Sequence, residues 1–157
     1  VFDVTFPIIC ASKPQLRDHF QNKRRVEFME LTVDFPGGAR VDAHFGSHTV
    51  MTDQNGSAPS PFALFLASLG TCAGVYVMGF CRQRGLSPEG IRIVERSIPD
   101  PNNNGMVGTV ELEIQVPPDF PEKYYDALVR SAGQCAVKKH LENPPKFEIA
   151  TRSVETA

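Results

Sequence analysis

The chain has 157 residues, 22% of them charged and 41% hydrophobic, with a net charge of −2. That length suits one domain with a core of its own, and the balance is ordinary for a globular protein. Lys23–Arg24–Arg25 is the longest basic run, which argues against nucleic acid as a partner. The four cysteines, at 10, 72, 81 and 135, stand far apart and form no CxxC pair. Neither zinc-knuckle spacing nor a secreted disulfide framework is expected, and a reducing cytoplasm fits the thiols best. The opening VFDVTFPIIC lacks the basic stretch and long apolar core of a signal peptide.

Residues 1–25 read as an N-terminal extension and residues 26–157 as the domain. Met29, Leu31, Val33 and Phe35 alternate with polar residues, as in a half-buried strand. Pro36-Gly37-Gly38 then turns the chain. Val41, Ala43 and Phe45 repeat the alternation, and Gly46-Ser47 leads by a two-residue hairpin into HTVMT. After a loop over 53–59 comes an uncharged segment, followed by CRQRG, whose Gly85 suits a helix C-terminus. IRIVERSI and VGTVELEIQV flank PDPNNNG as a second hairpin. Pro121 opens a helix, EKYYDALVRSAGQ; CAVKKHL is a short helix, and FEIAT a last strand. This order predicts an α+β fold, with helices packed on mainly antiparallel sheet.

The segment FALFLASLGTCAGVYVMGF, residues 62–80, runs nineteen residues without a charge. As a helix it is roughly 28 Å long, enough for a thin bilayer. Gly70, Thr71, Gly74 and Gly79 dilute it, however, and the neighbouring strands each have an apolar face that needs a cover. A buried helix is therefore expected, with no membrane partner. One protomer can hardly enclose it, so a second copy is expected to complete the cover. Ala63, Ala67, Gly70 and Gly74 share one face, where another helix could approach closely. Cys72 lies on the opposite face beside Phe65, Leu69 and Tyr76, while Cys81 points away again. By this pattern alone Cys72 could equally be a small buried hydrophobe.

Two stretches, SAPSPFALFLASLGTCAGVYVMGFCRQRGL and AGQCAVKKHL, resemble the OsmC/Ohr family of thiol-dependent peroxidases, in a divergent OsmC-like branch. The first resembles its central cysteine-bearing helix, the second its other cysteine motif. The match spans about residues 26–152. The resemblance implies an intertwined homodimer, with antiparallel sheets wrapped around long central helices and active sites at the interface. It implies that an organic hydroperoxide oxidises Cys72 to a sulfenic acid, that Cys135 resolves it to a disulfide, and that a dithiol reduces the product, with no cofactor. Phe62, Phe65, Leu69 and Tyr76 would line an apolar substrate pocket. The family steadies its thiolate with an arginine, for which GGAR offers Arg40, held in turn by a glutamate early in the central helix. Here Phe62 and Ala63 stand where that glutamate is expected, and Asp53 is a possible substitute. The departure keeps a second reading open: a non-catalytic homodimeric binding protein. Helix-end electrostatics, with Lys138 and Lys139 close by, favour a thiolate at Cys135. Cys10 and Cys81 read as spectators. His44 and His48 fall on opposite faces of their hairpin, so no metal site is expected.

Overall fold

The computed structural model describes residues 30–154. β1 (Thr32–Gly37), β2 (Arg40–Phe45) and β3 (His48–Asp53) form an antiparallel meander in that order. Gly37 and Gly38, at φ 128° and 61°, make the first turn in a region that side chains with a Cβ avoid. Phe45 pairs with His48 across the second turn, as the two-residue hairpin requires. This sheet packs only sparsely against the rest of the chain. Its apolar side chains are left open, and Phe35 is 79% exposed.

α1 (Pro61–Gln83) carries the rest. Ser60 caps it by accepting the Ala63 N–H at 3.2 Å, and Pro61 fits the first turn because no N–H is needed there. At the far end Gly85, at φ 66°, reverses the chain while the Leu86 N–H donates to the Cys81 carbonyl at 3.0 Å. Arg84 lies 3.8 Å above the Phe80 ring, closing the end of the core with a cation–π contact.

β4 (Arg92–Pro99) and β5 (Val107–Gln115) form a separate antiparallel pair, with Ile93 opposite Ile114 and Glu95 opposite Leu112. Leu69, Ala73, Val77 and Phe80 recur at helical spacing on the face of α1 that is buried. Ala73, Val77 and Phe80 meet Ile93, Leu112 and Ile114 from the sheet and Leu128 and Ala132 from α2 (Tyr125–Ala132). The Ser131 hydroxyl donates to the Tyr76 carbonyl at 3.1 Å, tying α2 to the middle of α1. One turn later Cys135 caps α3 (Ala136–Glu142), its sulfur accepting the Lys138 N–H at 3.4 Å.

Two expectations are altered. FEIAT forms no strand; Phe147 and Ile149 are exposed, Ile149 to 95%. Its alternation is that of a strand, but no sheet edge among the described residues takes it up. On the small-residue face of α1, Gly70 and Gly74 meet a strand within the chain, while Ala63 and Ala67 are exposed. A Cβ on Gly70 would lie 2.8 Å from the Glu95 carboxylate, and one on Gly74 3.9 Å from Ile93. Gly70 is thus the notch that lets a carboxylate reach the helix backbone. The Glu95 Oε1 atom is buried without a hydrogen-bond partner. Burial pushes the Glu95 carboxyl above the ordinary carboxylate range, and the Gly70 N–H only partly offsets this.

The consequence for stability has a definite sign. A carboxyl with a raised folded-state pKa binds more protons folded than unfolded, so stability falls as pH rises through that interval. Glu95→Gln is expected to remove this fall and to be more stable than wild type at neutral pH. Urea melts of both proteins from pH 4 to pH 8 check it; parallel curves would disprove it.

Candidate functional site

The fold brings two thiols, 63 positions apart in the sequence, close enough to act on each other's ionisation: Cys72 on α1 and Cys135 at the start of α3. Cys72 is partly buried and Cys135 is 1% exposed. Their tendencies to ionise diverge. Burial works against a charged Cys72, but the Val137 N–H, the Cys135 thiol and the Ala136 N–H all point at its sulfur, and together they hold it below the ordinary thiol range. Burial pushes Cys135 up; the Lys138 N–H opposes this, and the neighbouring Cys72 sulfur adds to it. The Cys135 thiol also lies 3.8 Å from the Leu69 carbonyl. Of the two, Cys72 is the thiol whose surroundings favour the charged form.

This reverses the expected electrostatics at Cys135. The helix end is present, but its N–H groups at 136 and 137 act on Cys72, and those at 137 and 138 only partly oppose the burial of Cys135. The lysine ammoniums turn outward, Lys138 to Glu142 at 2.9 Å and Lys139 to Gln134 at 2.7 Å. Cys135, 1% exposed, is held toward the thiol form by its burial.

Arg40 lies on β2, and no described residue of that sheet is among the groups acting on Cys72. Its Nε reaches Asp42 at 2.9 Å and Nη2 at 2.6 Å. Asp42 is 4% exposed, and the guanidinium holds its carboxyl below the usual carboxylate range against the cost of burial. The arginine is therefore anchored by a residue two positions on. Asp53, the substitute expected from the sequence, is engaged by the Ser57 hydroxyl and the Asn55 N–H. Asp42 escaped the sequence reading although strand alternation puts it on the same face as Arg40.

Beside the thiol pair is a cavity of about 300 Å³ between β4–β5 and the helices. Leu69 and Cys135 line it, with Ile93, Leu112 and Ile114 from the sheet. Phe62, Phe65 and Tyr76 do not. Phe62 is half exposed and stacks near Phe65 with ring centroids 5.6 Å apart; Tyr76 contributes its carbonyl to Ser131. Cys81 is wholly buried in the core and its thiol is pushed up by that burial; Cys10 lies outside the described residues. No cluster of metal-ligating side chains occurs among the described residues. His44 bonds to Asp34 and Thr49, each at 3.0 Å. Glu95, also missed, was legible as the one acid in phase with Ile91 and Ile93.

Comparison with solved structures returns the same architecture. An osmotic-stress and detoxification-response protein described from Psychrobacter arcticus 273-4 superposes with a TM-score of 0.60 at 20% identity, over 69% of this chain and 85% of that one. A hypothetical protein from Aquifex aeolicus VF5 gives 0.61 at 17% identity, over 75% and 89%. An OsmC-like protein from Mycoplasma pneumoniae gives 0.60 at 10% identity, over 76% and 91%. A search of curated proteins returns no match. The family model for OsmC-like protein matches residues 54–150, which takes in α1, the β4–β5 hairpin and both cysteines of the pair. With that match over most of its length, the chain belongs to the OsmC-like protein family.

Proposed function

We propose that this protein is a cytoplasmic thiol peroxidase for organic hydroperoxides, with Cys72 as the attacking thiolate and Cys135 as the resolving thiol. What supports the reading is that the fold brings Cys72 and Cys135 together and shifts their tendencies to ionise in opposite directions. The family includes peroxidases of this kind. The Cys72 sulfur attacks the outer peroxide oxygen, giving a sulfenic acid as the O–O bond breaks and the alkoxide leaves, to be protonated to an alcohol. The Cys135 sulfur then displaces hydroxide from the sulfenic acid, its proton completing a water, and a disulfide forms. An external dithiol reduces that disulfide and resets both thiols. Backbone N–H groups at 136 and 137 supply the polarity that favours a thiolate on Cys72. Arg40, bound to Asp42, has no part in this assignment.

Homodimers are typical of the family, and three features support one here. α1 is long and apolar enough to cross a membrane, yet only 28% of its most apolar stretch is buried within the chain. The β1–β3 sheet has open apolar side chains, and Phe147 and Ile149 form no strand. A second copy would satisfy all three. The alternative, a dimeric binding protein without turnover, draws on the family glutamate missing at Phe62 and Ala63.

Three outcomes are expected. In pH-dependent alkylation read by mass spectrometry, Cys72 should react at lower pH than Cys135, with Cys81 protected throughout; the reverse order would remove the basis for the assigned roles. One equivalent of cumene hydroperoxide should link Cys72 to Cys135. Cys72→Ser should abolish peroxide consumption, whereas Cys135→Ser should allow one oxidation per subunit and stop dithiol recycling. Thiols that react no faster than free cysteine would favour the binding protein. In sedimentation at micromolar concentration the protein should run at twice 17.3 kDa; a lone monomer would contradict the proposed assembly.

A further inference from the structure

The cavity beside Cys135 has a chemical character that peroxide reduction by itself does not require. Its walls are almost wholly aliphatic, drawn from both strands of β4–β5 and from all three helices, and Lys138 is the one charged residue that lines it. Its mouth lies by Val129 and Leu141, both exposed. At the roughly 30 Å³ that a water molecule occupies in the liquid, about 300 Å³ holds some ten methylene-sized groups. Lys138 contributes its stem to the lining, with the ammonium free to reach outward.

We propose that this cavity binds a medium-chain carboxylate of about eight to ten carbons, the tail inside and the carboxylate on Lys138 at the mouth. Charge complementarity selects the head group. The Lys138 ammonium now pairs with Glu142 at 2.9 Å, and both side chains are about half exposed. Surface pairs of this sort contribute little, so a ligand carboxylate can take the place of Glu142. Lys139 is occupied with Gln134, and the His140 ring with the Ala136 carbonyl. A single available cation with an acid beside it suits a monoanion and disfavours a phosphate dianion. An alkylammonium would find only Glu142, out on the surface. The Cys135 sulfur forms part of the wall and Cys72 does not, so a bound tail covers the Cys135 thiol alone. Binding stands whether or not Cys72 turns over peroxide.

Titration calorimetry of the full chain with decanoate tests it. One saturable site per chain is expected. Affinity should rise roughly three- to fourfold per methylene from hexanoate to decanoate, the increment for burying one such group, and level off once the cavity is full. Lys138→Gln should weaken decanoate and leave decanol unchanged. Val110→Trp, which fills the cavity, should abolish both; if that variant does not fold, Lys138→Gln and the chain-length series still decide. Decanoate should also slow alkylation of Cys135 and spare Cys72. The proposal is overturned if the folded protein takes up no decanoate, if affinity ignores chain length, or if Lys138→Gln binds decanoate as well as wild type. It is equally overturned if uptake occurs only as sedimentation shows the dimer breaking, since the natural occupant is then a second copy. Loss of peroxide reactivity with decanoate binding intact would sink the peroxidase reading and leave this site standing.

Discussion

An apolar helix of 23 residues has to be covered along its whole girth, and the rest of the structure answers that demand. One flank of α1 is taken by the β4–β5 pair and a second by α2 and α3. Each covering element is amphipathic and turns the right face inward: Ile93 with Ile114 from the sheet, Leu128 with Ala132 from α2. The third flank, with Val75 59% exposed, finds no cover among the described residues. The β1–β3 sheet and the segment around Phe147 have the opposite problem, apolar side chains with nothing to cover. Complementary deficits of this sort in one chain are the ground on which a second copy is proposed.

The same packing makes the chemistry. Cys72 sits where α1 passes under the start of α3, so its sulfur meets main-chain N–H groups that have no partner inside their own helix. Cys135 reaches the same point from the other side and is desolvated by the covering that buries α1. Neither thiol needs a charged side chain for this contrast. That bears on the missing family glutamate. The network of arginine and carboxylate lies apart in this chain, as Arg40 on Asp42, while the thiol pair draws its polarity from the backbone.

Much of this was legible in the sequence, because it depends on periodicity. Alternation found the β1–β3 meander and the second hairpin, and the phase of α1 put Cys72 and Cys81 on different faces, as they are. Where side chains act on one another across elements, period alone fell short. Burial outweighed the helix end at Cys135, a sign that local spacing cannot supply. Three of the four residues expected around the substrate, Phe62, Phe65 and Tyr76, share the face of Cys72 but lie off the cavity, which is walled by the β4–β5 pair and the neighbouring face of α1. Glu95 was hidden in plain alternation, an acid where the strand pattern turns inward, whereas Asp42 stands in the polar phase of β2 and is buried all the same. FEIAT has a strand's composition, but a strand exists only where another strand receives it.

The bond from Ser131 to the Tyr76 carbonyl sets a mechanical tolerance. α2 has eight residues, a rod of about 12 Å at the usual rise per residue. It is the lever on whose end Cys135 rides. A tilt of about 10° at its base would move that end by about 2 Å, roughly twice the window of Cβ separations that a disulfide accepts. A hydroxyl seated on the central helix within a few residues of the lever's tip shortens the free arm to less than one turn. The alignment of the two sulfurs is thereby a property of main-chain docking, shielded from motions at the exposed turn where α2 begins.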